Sequence, residues 1–588
     1  MDKYKWDLTK LFKSDEDFNE TINRVTKLLD EIVKYKGRIF ESEETLLEFL
    51  KLDTEIDILT ERIYIYAYLG YYDNMSDEEF LVKKEKANNI MNTSSSVRTF
   101  VTPEILSKDY KEVQELLSKN KELEKYKFAF EKIFRRKEHI LSEPEELLLS
   151  NVSETFTTAR DAFNALDNVD IDLGYIKDEE GKKVELTSSN YARYITSKNR
   201  NVRKNAFKKD NKYYEKHINT LSALYAGKVK TNAFISKTRK YNSILEMYLF
   251  SDKISTKLYE NLIKITNKNT KYLKEYYKLK GKELGYKLHL YDTYVNTSSM
   301  PKKDIPYEDG IKIVNKALSP LGEEYLKEFN RLLNSNVVDV YPKKAKRSGA
   351  FEWCTYGVDP YVSLNYENDI DSVSTLAHEM GHAMHSYYSN TNQDYINADY
   401  PIFLAEIAST VNEALLSNYL IKNSSDKDEK IYYLVEFLDK FKGTVYRQMM
   451  FAEFEYIIHK MYEKGEAITK DLLCKTYYEL NKKQFSGSVV VDKDIQYEWS
   501  KIPHFYTSFY VYKYATGFIS ALLIADKLEK DKNFKDKYIE FLSSGCSDYP
   551  QELLSKLGID LSDENTLNEA FQLFAEKVKL LNEYMNGE

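Results

Sequence analysis

Residues Thr375–His385 read TLAHEMGHAMH, and Phe403–Glu413 read FLAEIASTVNE. Both follow a helical pattern. A helix turns once per 3.6 residues, so side chains four apart share a face. His378 and His382 therefore present two imidazoles to one point, and Glu379 lies one position along. Two neutral imidazoles and a third protein ligand suit zinc, leaving the fourth position for water. A carboxylate beside the ligands can take the proton of that water without itself binding the metal. Glu406 is the candidate third ligand. Its neighbours Leu404, Ala405, Ile407 and Ala408 are apolar, so a carboxylate buried there needs a cationic partner. Glu413, two turns further along, can orient a ligand histidine from behind. His385, three residues past His382, is read as a supporting or substrate-side residue, because a fourth protein ligand would close the site.

Working outward, Val337–Tyr366 is rich in β pattern and includes GAFEWCTYGVDPYVSLNY. Gly349–Trp353 and Tyr361–Tyr366 are nominated as strands along which a peptide backbone adds antiparallel to an edge, with Gly349 and Tyr361 as substrate-side positions. A second β signal, Val169–Leu186, alternates apolar residues around Asp-Glu-Glu-Gly and predicts a hairpin. Leu288–Val295 predicts a short β-like piece. The rest is helical. Ser76 and Ser142 each stand three residues before a Glu and predict capped helix starts. Only 19 Gly and 10 Pro interrupt 588 residues, which favours long helices. The expected division is an N-terminal helical region, 1–190, ending in the hairpin, and a catalytic region, 191–588.

A net charge of −8 argues against a general nucleic-acid binder. No apolar run reaches membrane-spanning length, and the opening MDKYKWDLTKLF lacks the apolar core of a signal peptide. Cys354, Cys474 and Cys546 are few, scattered and odd in number, which fits a reducing compartment. The expectation is a cytoplasmic protein with neither nucleic acid nor membrane as partner.

HEMGH followed by FLAEIASTVNE, with Glu406 24 positions beyond His382, resembles the thimet oligopeptidase-like zinc metallopeptidases, specifically the oligoendopeptidase F branch. The resemblance extends to Trp6–Phe12 (WDLTKLF), Ala162–Leu173 (AFNALDNVDIDL), Arg347–Trp353 (RSGAFEW), Pro360–Asp369 (PYVSLNYEND) and Ile502–Gly517 (IPHFYTSFYVYKYATG). It implies a mostly α fold: a large helical body enclosing a deep channel, with a zincin-type core and a small β-sheet beside the metal helix. It implies one zinc per chain on His378, His382 and Glu406, and Glu379 as general base. It also implies that His504 and a nearby tyrosine stabilise the oxyanion. Tyr506, Tyr510 and Tyr514 share a face if the segment is one helix, and Tyr510 is the choice among them. The implied activity is hydrolysis of internal bonds in short peptides. The alternatives are a zinc carboxypeptidase on a related helical fold and a non-catalytic peptide binder with a structural metal. The presence of Glu379 weighs against the latter.

Overall fold

A computed structural model describes residues 3–298 and 303–587. The chain divides into two compact units, each assembled from three segments. Unit 1 comprises Met1–Lys137, Lys302–Tyr419 and Ile524–Ile559; unit 2 comprises Glu138–Pro301, Leu420–Leu523 and Asp560–Glu588. Helices dominate both units, as the scarcity of Gly and Pro predicts. Seven helices matter here: α1 (Glu43–Asp73), α2 (Arg200–Thr238), α3 (Ile370–Asn392), α4 (Ile402–Asn423), α5 (Arg447–Glu463), α6 (Tyr512–Lys530) and α7 (Phe534–Leu542).

The strands are short. β1 (Tyr175–Lys177) and β2 (Lys183–Glu185) form the expected antiparallel hairpin. At its turn Asp178 Oδ1 accepts the N–H groups of Glu180 and Lys182 at 3.0 and 2.9 Å, and Gly181 takes φ +79°. Ile176 points inward between exposed Tyr175 and Lys177, and packs in a cluster with Val202, Ala206 and Tyr213 of α2. β3 (Leu288–His289) pairs parallel with β7 (Val489–Val490); the remainder of Leu288–Val295 leaves the strand at a single 3-10 turn.

Unit 1 contains a three-stranded sheet in the order β4 (Val338–Asp339), β6 (Tyr361–Ser363), β5 (Phe351–Trp353). β4 runs parallel to β6 and β5 antiparallel to it. Only β5 of the two nominated strands therefore has an outer edge. β6 is hydrogen-bonded on both sides, and Tyr361 is a core residue whose hydroxyl donates to Asp7 O at 2.8 Å. The substrate-side reading of Tyr361 is corrected accordingly.

Two local expectations also change. Asp77, not Ser76, caps its helix, accepting from Glu79 and Phe80 N–H at 2.9 and 3.1 Å; a carboxylate there also meets the positive end of the helix dipole. Tyr506, Tyr510 and Tyr514 do not lie on one helix: a 3-10 turn ends at Tyr506, and α6 begins at Tyr512. No helix among the described residues is long and apolar enough to cross a membrane.

Candidate metal centre

Asp369 starts α3 by accepting the Ser372 N–H at 2.8 Å. One helical turn separates His378 from His382, and their rings stand at 79° with centroids 4.9 Å apart. Gly381 explains why α4 can approach. A Cβ there would lie 2.6 Å from Ser409 Cα and 2.8 Å from Ala408 O, so only glycine lets the two backbones touch. A helical glycine costs about 1 kcal/mol relative to alanine; here that loss is set against close packing. Asn412 fastens the same pair, donating to Ala377 O at 3.0 Å, and Tyr325 donates to Asn412 at 3.4 Å.

This packing brings Glu406 to the two imidazoles. His378 Nε2 and His382 Nε2 are 3.2 Å apart, and Glu406 Oε2 lies 3.5 and 3.6 Å from them. A tetrahedral zinc with bonds of about 2.0–2.1 Å needs its ligand atoms about 3.4 Å apart. Two imidazoles and a carboxylate are also the donor set zinc accepts. The residues present fit the metal. Among the described residues they are the group of His, Cys, Asp and Glu side chains placed to hold a metal ion.

The electrostatics follow from the same geometry. With no metal between them, a protonated His382 beside it holds the Glu406 carboxyl down to about 2. Burial works against a charged His382, but Glu406 outweighs it and raises the imidazole above its ordinary value. Glu379 is buried, which raises its carboxyl, although His378 and His382 pull it back. Glu413 Oε1 lies 3.2 Å from His378 Nδ1, on the side of the ring away from the ligand atom. His385 is buried, stacks flat on Tyr400 at 3.7 Å and lies against Phe541 of α7; burial lowers its imidazole to about 3. It belongs to the packing behind the ligands.

Gly349 precedes β5 with φ +80° and open space at its Cβ position. His504 and the tyrosines lie in unit 2. There Tyr506 and Tyr512 are core residues, while Tyr510 and Tyr514 are partly exposed. Tyr514 Oη is 3.4 Å from His504 Nε2, and the Tyr510 and Tyr514 rings meet edge to face at 5.4 Å. Burial lowers His504, favouring its neutral form.

Sequence reading missed Gly381 as the contact that admits α4, Asn412 as its fastener, and Glu352 beside the ligand helix. The first had a visible signal, a glycine between two ligands on an otherwise unbroken helix. Asn412 and Glu352 had none, since only the fold reveals their neighbours.

Comparison with known proteins fits this geometry. The profile of Peptidase family M3 matches residues 193–573, and that of Oligopeptidase F matches residues 104–172. Oligopeptidase PepF of Bacillus subtilis is 38% identical over 582 residues, 99% of this chain and 87% of its own. An oligoendopeptidase F homolog of Lactococcus lactis is 35% identical, covering 99% of this chain and 97% of its own. The crystal structure of oligoendopeptidase-F from Enterococcus faecium aligns with TM-score 0.73 and 30% identity, over 98% of this chain and 100% of that one. A crystal structure from Chlamydophila abortus aligns with TM-score 0.93 and 33% identity, over 99% and 98%. The chain belongs to peptidase family M3, as a metalloendopeptidase of its oligoendopeptidase F branch.

Proposed function

We propose that this protein is a zinc-dependent endopeptidase that hydrolyses internal bonds of short peptides in the cytoplasm, with one zinc per chain held by His378, His382 and Glu406. The observation that carries the reading is the triangle of ligand atoms at 3.2, 3.5 and 3.6 Å. Zinc, when bound, supplies a Lewis acid and brings the pKa of a water towards ~7.

The remaining steps belong to the chain. Glu379 takes a proton from the attacking water and returns it to the leaving amine, a transfer worth about 10²–10⁴ in rate. Glu413, beside His378 Nδ1, orients that ring for its ligand role. The outer edge of β5, with Gly349 leading into it, is the surface on which a substrate backbone adds as a further strand. His504 is assigned as a neutral donor to the developing oxyanion, worth about 3 kcal/mol. Tyr510 is retained as its companion, with Tyr514 the competitor that its contact with His504 favours.

The test combines metal analysis with a length series of internally quenched peptides. Expected are about one zinc per chain, internal cleavage with blocked C-termini tolerated, and no digestion of folded protein. Glu379→Gln should keep the metal and lose at least about a hundredfold in kcat. Undiminished cutting by that variant would refute the mechanism. Phe at 510 and at 514 then separates the two tyrosines by which change lowers kcat.

A further inference from the structure

Beside the metal centre, unit 1 contains a cavity of about 880 Å³ whose charged lining is all of one sign. α1 contributes Asp57, Thr60 and Glu61, which share a face at helical spacing. β5 contributes Glu352, and the segment before α4 contributes Asp399. No Lys, Arg or His lines it. Glu352 faces away from the side of the sheet on which Trp353 and Phe351 pack with Tyr72, because successive strand residues alternate. That direction takes its carboxyl towards α3, where Ser386 reaches one of its oxygens.

The partners of these acids sort them. Asp57 is paired with Arg98 at 2.6 Å. Glu61, Glu352 and Asp399 form no ion pair among the described residues. Glu61 receives the hydroxyl of Tyr395, with Arg62 the nearby charge; Asp399 receives the Tyr400 N–H, with Lys132 the nearby charge. Two atoms are left over. Glu352 Oε1 is shut off from solvent with no hydrogen-bond partner, and so is the hydroxyl of Thr60, a residue only 2% exposed that lines the cavity. Buried polar atoms are normally satisfied, and those lining a cavity call for an occupant. Burial, joined by the charges of Asp399 and Asp57, raises the carboxyl of Glu61 to about 7, and burial raises that of Asp399. A cation entering the cavity restores their charge, and rotation of the Glu352 or Thr60 side chain towards it gives an orphaned atom a partner. The rings of Tyr356 and Tyr395, edge to face at 5.6 Å in the same lining, offer a further surface to a cation.

We propose that this cavity is an acidic subsite that takes a cationic group of the peptide substrate, either the side chain of Lys or Arg or the N-terminal ammonium, against Glu61, Glu352 and Asp399. The proposal rests on the peptidase reading and gives it a substrate preference. Its position suggests the side of the cut. A peptide adding antiparallel to β5 lays its N-terminal half against the Trp353 end of that strand, where the cavity opens. Ser386 and Ala405 in the lining lie four residues past His382 and next to Glu406, so the same bound peptide reaches both places.

The experiment uses matched quenched peptides with Arg or citrulline at each of three positions before the cut, and a second set with free or acetylated N-termini. Wild type, Glu61→Gln and Asp399→Asn are compared. Wild type should favour the cationic member of one pair by about tenfold in kcat/KM, and each variant should reduce that ratio to about twofold. Position of the preference, side chain or amine, identifies the source of the charge. The same pairs are ranked by binding to Glu379→Gln, so the preference is read without turnover. Equal affinity for Arg and citrulline, and for free and blocked amines, overturns the subsite; so does a preference that both variants keep. Failure to cut any peptide strikes instead at the peptidase reading.

Discussion

Two clusters carry imidazole and carboxylate side chains, and they use them differently. On α3 and α4, His378, His382 and Glu406 turn acceptor atoms towards one another, with the two Nε2 atoms 3.2 Å apart. On α5, Glu455 and His459 stand one turn apart with their hydrogen bonds supplied by neutral side chains or backbone. His459 Nδ1 is 2.8 Å from Glu455 O, and Asn232 Nδ2 is 3.0 Å from His459 Nε2. Asn232 also donates to Ser508 at 2.9 Å and accepts from Tyr248 at 2.8 Å. Phe509 N–H donates to Glu455 Oε1 at 3.0 Å. The residue types are nearly the same in both places. What separates a metal site from a core network is whether lone pairs converge. Converging acceptors repel unless a cation stands between them, whereas the α5 groups are donor-to-acceptor paired except at Glu455 Oε2, which is buried without a partner.

That difference predicts opposite failures. His378→Ala should abolish activity by about a thousandfold or more and lose stoichiometric zinc, with a modest change in unfolding free energy. His459→Ala should keep one zinc per chain and kcat near wild type, yet destabilise the fold by about 2–4 kcal/mol, since it leaves a cavity and an unpaired Asn232. Metal analysis and denaturant unfolding on both proteins check this. If His459→Ala released the metal, the two networks would not be independent, and the contrast would fail.

Gly381→Ala is the next largest effect and acts on geometry alone. The added methyl meets backbone of α4, which cannot swing aside as a side chain would. The strain should cost about 1–3 kcal/mol and push Glu406 off the imidazoles. Zinc affinity should therefore fall although no ligand has changed. A variant that binds zinc as tightly as wild type would show that α4 is positioned by Asn412 and its other contacts, not by Gly381.

The same contrast marks what could be read in advance. The candidate ligands on α3 were legible because both lie on one helix, where spacing alone fixes the face. Glu406 was legible through its apolar neighbours and the family resemblance, and the 169–186 hairpin through its alternation and Gly181. The α5 network was not legible, because Asn232 and Phe509 reach His459 from 227 and 50 positions away. Sequence pattern carries no record of such neighbours. The Tyr506–Tyr514 reading failed for a related reason: Phe509 adopts φ +55°, and the chain turns where a continuous helix was expected. The central place of β6 was likewise invisible, since strand order in a three-stranded sheet is decided by contacts outside the segment. Asp57 and Glu61 carry no signal in the sequence, since their place in the cavity lining depends on strand residues far along the chain.

The smallest effect is a pH dependence of stability that arises in the α5 network. Burial raises Glu455 to about 8, with the Phe509 N–H and the charge of Lys228 only partly opposing it. The folded state therefore keeps a proton that the unfolded chain releases above its ordinary value of 4.5. Folded protein binds more protons, so this contribution falls as pH rises through the window from 4.5 to about 8. His459 works in the other direction: burial lowers it to about 4 from 6.5, so its contribution rises with pH until 6.5. The two oppose each other below 6.5, and above it Glu455 acts unopposed by His459. Unfolding free energy should thus decline between pH 6.5 and 8 by at most about 1.4 kcal/mol per unit. Glu455→Gln keeps an acceptor for Phe509 and should flatten that decline, while zinc content stays at one per chain. A decline of unchanged slope in the variant would place its origin outside the α5 network and remove Glu455 from the comparison.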